Sequence, residues 1–110
     1  MPNSGNLTKI FGALANPHRL AIFRRLRNAA LRCRAGTVSA LGVCRIADGT
    51  ELALSTVSHH LKELKDAGLI RCEKRGQWVY CSINPIALRR VEAFVGAARR
   101  RARRKRARTG

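Results

Sequence analysis

At 110 residues the chain has room for one small domain with a modest core, and not for two. Its hydrophobic share of 45% is ordinary, but 23 Lys and Arg against 6 Asp and Glu leave a formal charge of +17, a field that favours polyanionic partners. No apolar run is long enough to span a bilayer, and Met1–Gly5 lacks the basic, apolar, cleavable pattern of a signal peptide. The expectation is therefore a cytoplasmic protein with no membrane partner, its four cysteines reduced thiols rather than a disulfide framework.

Residues 1–6 are polar and read as a flexible N-terminus. Leu7, Ile10, Phe11 and Leu14 then form an apolar stripe at helical spacing. Asn16 and Pro17 punctuate: asparagine is a good N-cap, and proline is preferred at the first helical position. In the second helix Leu20, Phe23 and Leu26 face inward, with Arg19, Arg24, Arg25 and Arg27 outside. The segment from Asn28 reads as a continuation of this helix to Gly36, and Thr37–Gly42 as an extended link. Val43–Gly49 begins a helix-turn-helix, whose first helix positions the second.

The second helix lies within Leu52–Leu69. Val57, Leu61 and Leu64 share one face, and Thr56, His59, Lys62 and Glu63 the other. Ser55 is placed as N-cap, and Gly68 ends the helix, where a left-handed residue costs least. An exposed first turn of short hydroxyl side chains lets the backbone approach base edges in a DNA major groove. Directly after it, Leu69–Glu73, a turn at Lys74-Arg75-Gly76, and Gln77–Ile83 read as a two-stranded hairpin. Pairing Lys74 with Gln77 sets Cys72 opposite Val79 and Cys81 opposite Ile70. The two cysteines are then diagonal neighbours, about 7–8 Å apart at the backbone, too far for a relaxed disulfide but within reach of a bridging soft ion. Small buried hydrophobes explain both without chemistry, and that is the preferred reading of the pair.

Asn84-Pro85 marks another helix start. Ile86, Leu88, Val91, Phe94 and Val95 give it a wide apolar face suited, with the first helix, to joining two subunits. Eight of the ten residues Arg99–Arg108 are basic. The chain thus divides into a flexible segment 1–6, a DNA-binding and dimerisation domain 7–98, and a basic tail 99–110. That tail is expected to be disordered and to bind polyanions without sequence preference.

The stretch STVSHHLKELKDAGLIRCEKRGQWVYCSI from Ser55, with ALANPHRLAIFRRL from Ala13, resembles the recognition helix, wing and early helix of the ArsR/SmtB family of transcriptional regulators. The resemblance runs from Leu7 to Pro85. It implies an α+β, mostly helical, winged helix-turn-helix with a two-stranded wing, and a homodimer that represses by occupying double-stranded operator DNA. Ser55, Thr56, Ser58 and His59 are then the residues for base edges, with His60 and Lys62 beside them. Lys74, Arg75 and Gln77 on the wing would meet phosphate or minor groove.

In many members of this family a bound metal or metalloid releases the DNA. Their Cys-Val-Cys-Asp-Leu type motif corresponds here to Gly42-Val43-Cys44-Arg45-Ile46, which keeps only the second cysteine. Their carboxylate–histidine site on the last helix corresponds to Glu92 with no histidine. A soft ion such as arsenite would therefore have to use Cys44, Cys72, Cys81 or Cys33. The alternatives are a metal-independent repressor answering to oxidation or to an organic ligand, and a general nucleic-acid-binding basic protein. Catalysis is excluded. His59-His60 with Glu63 lacks the second histidine and intervening glutamate of a hydrolytic zinc helix, and the chain has no phosphate-binding glycine loop or serine nucleophile elbow.

Overall fold

The computed structural model describes residues 6–32 and 41–109. Cys33 and the link through residue 40 lie outside them. The elements, in order, are α1 (Leu7–Leu14), α2 (Pro17–Arg32), β1 (Leu41–Gly42), α3 (Val43–Asp48), α4 (Leu54–Asp66), β2 (Ile70–Arg75), β3 (Trp78–Ile83) and α5 (Pro85–Thr109). No helix among the described residues is long and apolar enough to cross a membrane.

Local chemistry sets the helix starts. The Asn6 side chain accepts from the Lys9 amide at 3.2 Å, and Asn16 accepts from the amides of His18 and Arg19 at 2.9 and 3.2 Å. Each asparagine thereby satisfies amides that the first turn leaves without a partner. Asn84 does the same for α5, accepting from Ile86 at 3.2 Å, and it does more. It is buried, its side-chain amide donates to the Gly68 carbonyl at 2.9 Å, and its backbone amide donates to Leu69 at 2.9 Å. One side chain therefore clips the end of α4 to the start of α5.

Helical spacing delivers one core. Ile10 of α1, Ile22 and Leu26 of α2, Ile46 of α3, and Val57, Leu61 and Leu64 of α4 are all buried together with Ile70, Cys81 and Ala87. Each such aliphatic side chain contributes about 1.5–3 kcal/mol by leaving water. Truncating the fully buried Leu64 to alanine costs about 2–5 kcal/mol, because a cavity remains. Ile22, which the sequence reading omits from the inner face of α2, is among the most buried side chains.

The sheet is antiparallel in the order β1-β3-β2. The hairpin β2–β3 is the expected two-stranded wing. The two-residue β1 adds a short third strand, pairing Leu41 with Cys81 and Gly42 with Tyr80. The hairpin register corrects the sequence reading. Arg75 pairs with Trp78, so the loop is Gly76-Gln77, and Cys72 faces Cys81 directly. The reason is turn chemistry. Gly76 has φ 63° and no non-glycine residue among the described residues has positive φ, the pattern of a type II′ loop with glycine first. Pairing Lys74 with Gln77 would have put Arg75 in that left-handed position, where a Cβ is strained.

Two further expectations are corrected. The N-cap of α4 is Ala53, not Ser55, and it makes no side-chain cap bond. The segment beginning at Arg99 is not an irregular tail in the structure; α5 continues as helix through Thr109. Arginine and alanine are both strong helix formers, and no glycine or proline interrupts them after Gly96.

Candidate DNA-binding surface and thiol pair

The two faces of α4 are cleanly divided. Val57, His60, Leu61 and Leu64 are buried, whereas Ser55, Thr56, Ser58, His59 and Lys62 are exposed. Because Ala53 occupies the N-cap, Ser55 and Thr56 sit inside the first turn with their hydroxyls turned outward. α3 lies behind α4, and Arg25 of α2 steadies it by donating to the Arg45 carbonyl at 3.2 Å. Short donors on a braced, exposed helix face are what reading a major groove requires.

His60 does not belong to that surface. It is 9% exposed, lies three residues after Val57 and four before Leu64, and therefore turns with them into the body. Its ring packs 5.7 Å from that of His18 on α2 and 6.0 Å from His59. Its Nδ1 is buried without a hydrogen-bond partner among the described residues. Burial holds its pKa below 6.5, with Arg19, His18 and His59 pushing the same way and Glu63 opposing.

On the wing, Lys74, Arg75 and Gln77 are all exposed at or beside the loop. Arg75 is partly engaged within the hairpin: it pairs with Glu73 at 3.2 Å and lies 5.2 Å over the Tyr80 ring. Such exposed contacts are weak enough to exchange for a phosphate. Lys74 and Gln77 complete the loop's polar edge.

Between α4, the start of α3 and the hairpin lies an open cleft of about 430 Å³. Its walls are largely apolar, with Leu54, Trp78 and Tyr80 prominent, and Ser58, Lys62 and Lys65 also border it. Sequence reasoning missed this cleft; its only sequence signal is the pair of aromatic residues, Trp78 and Tyr80, two apart on one strand. Cys44, Cys72 and Cys81 line it together.

The Cys72 and Cys81 sulfurs are 3.4 Å apart. Cys81 is fully buried and Cys72 half-buried. Cys72 is drawn down to about 7, because the Cys81 thiol donates to its thiolate and Lys65 adds positive charge, against the opposing effect of burial. The same hydrogen bond, together with burial, pushes Cys81 up. Cys44 is exposed on α3. No group of three or more Cys, His, Asp or Glu able to hold a metal exists among the described residues. Neither the first helix of the helix-turn-helix nor α5 carries the donor set that the resemblance would call for there.

Opposite this end, α1 and α5 present an apolar surface. Phe11 and Phe94 meet with ring centroids 5.9 Å apart, yet Phe94 is 57% exposed and Val95 52%. Ile86 is also exposed, while Leu88 and Val91 pack against the core.

Comparison with known proteins agrees with this geometry. A helix-turn-helix domain family matches residues 14–73. The arsenical resistance operon repressor of Bacillus subtilis is 38% identical over 67% of this chain, a match spanning 62% of the repressor's length. The crystal structure of an ArsR family transcriptional regulator superposes with a TM-score of 0.68 at 30% identity, covering 86% of this chain and 87% of that one. A homodimeric winged helix-turn-helix DNA-binding domain from Mycobacterium bovis, described as a possible ArsR-family regulator, gives 0.61 at 28% identity over 84% of this chain and 78% of its own.

Proposed function

The chain belongs to the ArsR family of winged helix-turn-helix transcriptional regulators, and from that premise we propose that it is a homodimeric repressor occupying a two-fold symmetric operator. The observation that carries this reading is the division of α4. Its inner residues are spent on the core, and its outer face offers Ser55, Thr56, Ser58, His59 and Lys62. In this reading those side chains meet base edges and adjacent phosphates, and Lys74, Arg75 and Gln77 hold the flanking backbone or minor groove.

The dimer reading rests on α1 and α5. Large apolar side chains at Phe11, Ile86, Phe94 and Val95 are exposed at one end of a domain that has already filled its core. A second copy covering them produces an isologous interface, and a two-fold protein asks for a two-fold site. The M. bovis domain is homodimeric, which supports the same arrangement here. Repression follows from the likeness to the B. subtilis repressor, and simple occupancy of a promoter suffices for it.

Selection from a random duplex pool tests the reading. The expected result is enrichment of an inverted repeat with half-sites about 10–10.5 base pairs apart, or a multiple of that. A pool bound uniformly, with strong salt dependence and no enriched sequence, would replace the repressor with a general nucleic-acid-coating protein.

A further inference from the structure

The cleft between α4 and the wing is more apolar than reading DNA requires. Leu54 and Trp78 border it and are about half exposed, and Val79 is exposed beside them. Two lysines border it as well, and among the described residues no Asp or Glu does. We infer that this cleft binds a small organic monocarboxylate with an apolar ring body, the rings packed against Leu54, Trp78 and Tyr80 and the carboxylate meeting Lys62 and Lys65.

Three features select that class. The first is size and lining. A volume of about 430 Å³ lies within the range of about 300–1,000 Å³ typical of small-ligand clefts, and largely apolar walls with a few polar groups are their usual lining. Large apolar side chains grouped at a surface mark a binding site, whereas single ones do not. The proposed subunit seam leaves this group open, because it lies at the α1–α5 end. The second feature is the sign of the charge. Leu54, Ser58, Lys62 and Lys65 recur at four, four and three along α4, so they form one ridge beside the wing. Lys65 reaches close enough to Cys72 and Cys81 that its charge favours the thiolate of each. An anion is therefore met by two ammonium groups and a hydroxyl, with no carboxylate to repel it. The third feature is the amount of charge. Both lysines are exposed while the walls are apolar, so one carboxylate fits at the rim. A polyphosphate would have to give up water against Leu54 and Trp78 without a partner in return.

The consequence for DNA rests on the operator-binding reading above. Ser58 and Lys62 belong both to the cleft and to the exposed face of α4 proposed to meet base edges and phosphate. A carboxylate on Lys62 neutralises a charge which that face would offer to DNA, and ring atoms beside Ser58 occupy the approach to a base. Ligand and operator then compete, and each lowers the apparent affinity of the other by the same factor. No covalent bond is made or broken, so occupancy follows ligand concentration reversibly.

Para-biphenylacetate, added to the reduced full-length protein, is the probe, and Trp78 is the reporter, since it is the chain's one tryptophan. Its emission should move saturably to shorter wavelength as the rings displace water from the half-exposed indole. The uncharged para-biphenylacetamide should bind about three- to tenfold more weakly. Lys62→Gln or Lys65→Gln should each cost the carboxylate about two- to fivefold while leaving the amide unchanged. Leu54→Gln, at a half-exposed position outside the core, should weaken both compounds. No saturable shift at millimolar probe, calorimetric binding that leaves Trp78 emission unmoved, or equal affinity for acid and amide would overturn the site. Fluorescence anisotropy of a labelled operator reads the competition separately, and apparent operator affinity should fall in proportion to cleft occupancy. A Trp78 titration that saturates without moving operator affinity would overturn the competition and leave the site standing. If no operator exists, the repressor reading fails, while the Trp78 titration still decides the site.

Discussion

Two basic regions of this molecule are built on opposite plans. At the α4–wing end a few polar and charged side chains are fixed by a packed core, with Lys62, Lys74 and Arg75 beside three hydroxyls and an imidazole. At the far end of α5 the charge is dense: Arg99–Arg101, Arg103 and Arg104 are exposed on a helix with no core behind that stretch. The first plan controls position, the second only quantity. Positioned donors distinguish one base pair from another, whereas a line of guanidinium groups meets the same phosphates whatever the sequence. The contrast teaches that net charge says little about specificity.

The largest effect should come from removing residues 99–110. The log–log salt dependence of DNA binding should become shallower by up to about seven, at roughly 0.9 per phosphate for eight basic residues. Affinity for operator and random duplex should fall together, by about two or more orders of magnitude at low salt, leaving their ratio unchanged. A changed ratio in that titration would break the comparison. Next comes Ser58→Ala with His59→Ala, which should reduce preference for the selected operator by about 10–100-fold, since a base-edge contact discriminates by about 1–3 kcal/mol. Background binding and its salt slope should stay as they were.

A smaller effect sharpens the contrast through pH. His60 is buried behind the exposed face of α4 with its folded-state pKa held below 6.5, first by burial. Above 6.5 both folded and unfolded chains keep it neutral. As pH falls below 6.5 the unfolded chain takes up a proton that the folded one resists, so stability contributed by neutral His60 is lost. The slope cannot exceed about 1.4 kcal/mol per pH unit for one proton. Urea unfolding at pH 7.5 and 5.5 measures it, and His60→Leu should remove it together with an unpaired buried nitrogen. Smallest of all, Lys74→Ala should weaken operator and random DNA alike and reduce the salt slope by about one.

Much of this was legible because the chain states its helix boundaries locally. Asn16-Pro17 and Asn84-Pro85 announce starts, and Gly68, with φ 79°, closes α4. The burial of His60 was missed: the sequence reading set it beside the base-contacting residues, although its spacing from Val57 and Leu64 places it on the inner face. The hairpin register was harder. Arg75-Gly76 and Gly76-Gln77 both offer a two-residue loop containing glycine, and a shift of one loop position moves Cys72 from facing Val79 to facing Cys81. Periodicity cannot choose between them, since both registers keep the same residues on the same face; the handedness at the first loop residue does. The cleft has no local signature, because its walls come from α3, α4 and both wing strands and exist only once these meet.

The bond from Asn84 to the Gly68 carbonyl, 2.9 Å long, has a metrical consequence. It pins the end of α4 to the root of α5, so in the proposed dimer the two α4 helices are held apart by a rigid bracket running through the subunit seam. Such a bracket is a calliper for DNA. A change in how the two α5 helices cross would open or close its jaws, and a misfit of one base-pair rise, about 3.4 Å, is enough to put one half-site out of reach. The permitted spacing between half-sites is then written less in the residues that touch bases than in a single buried amide behind them.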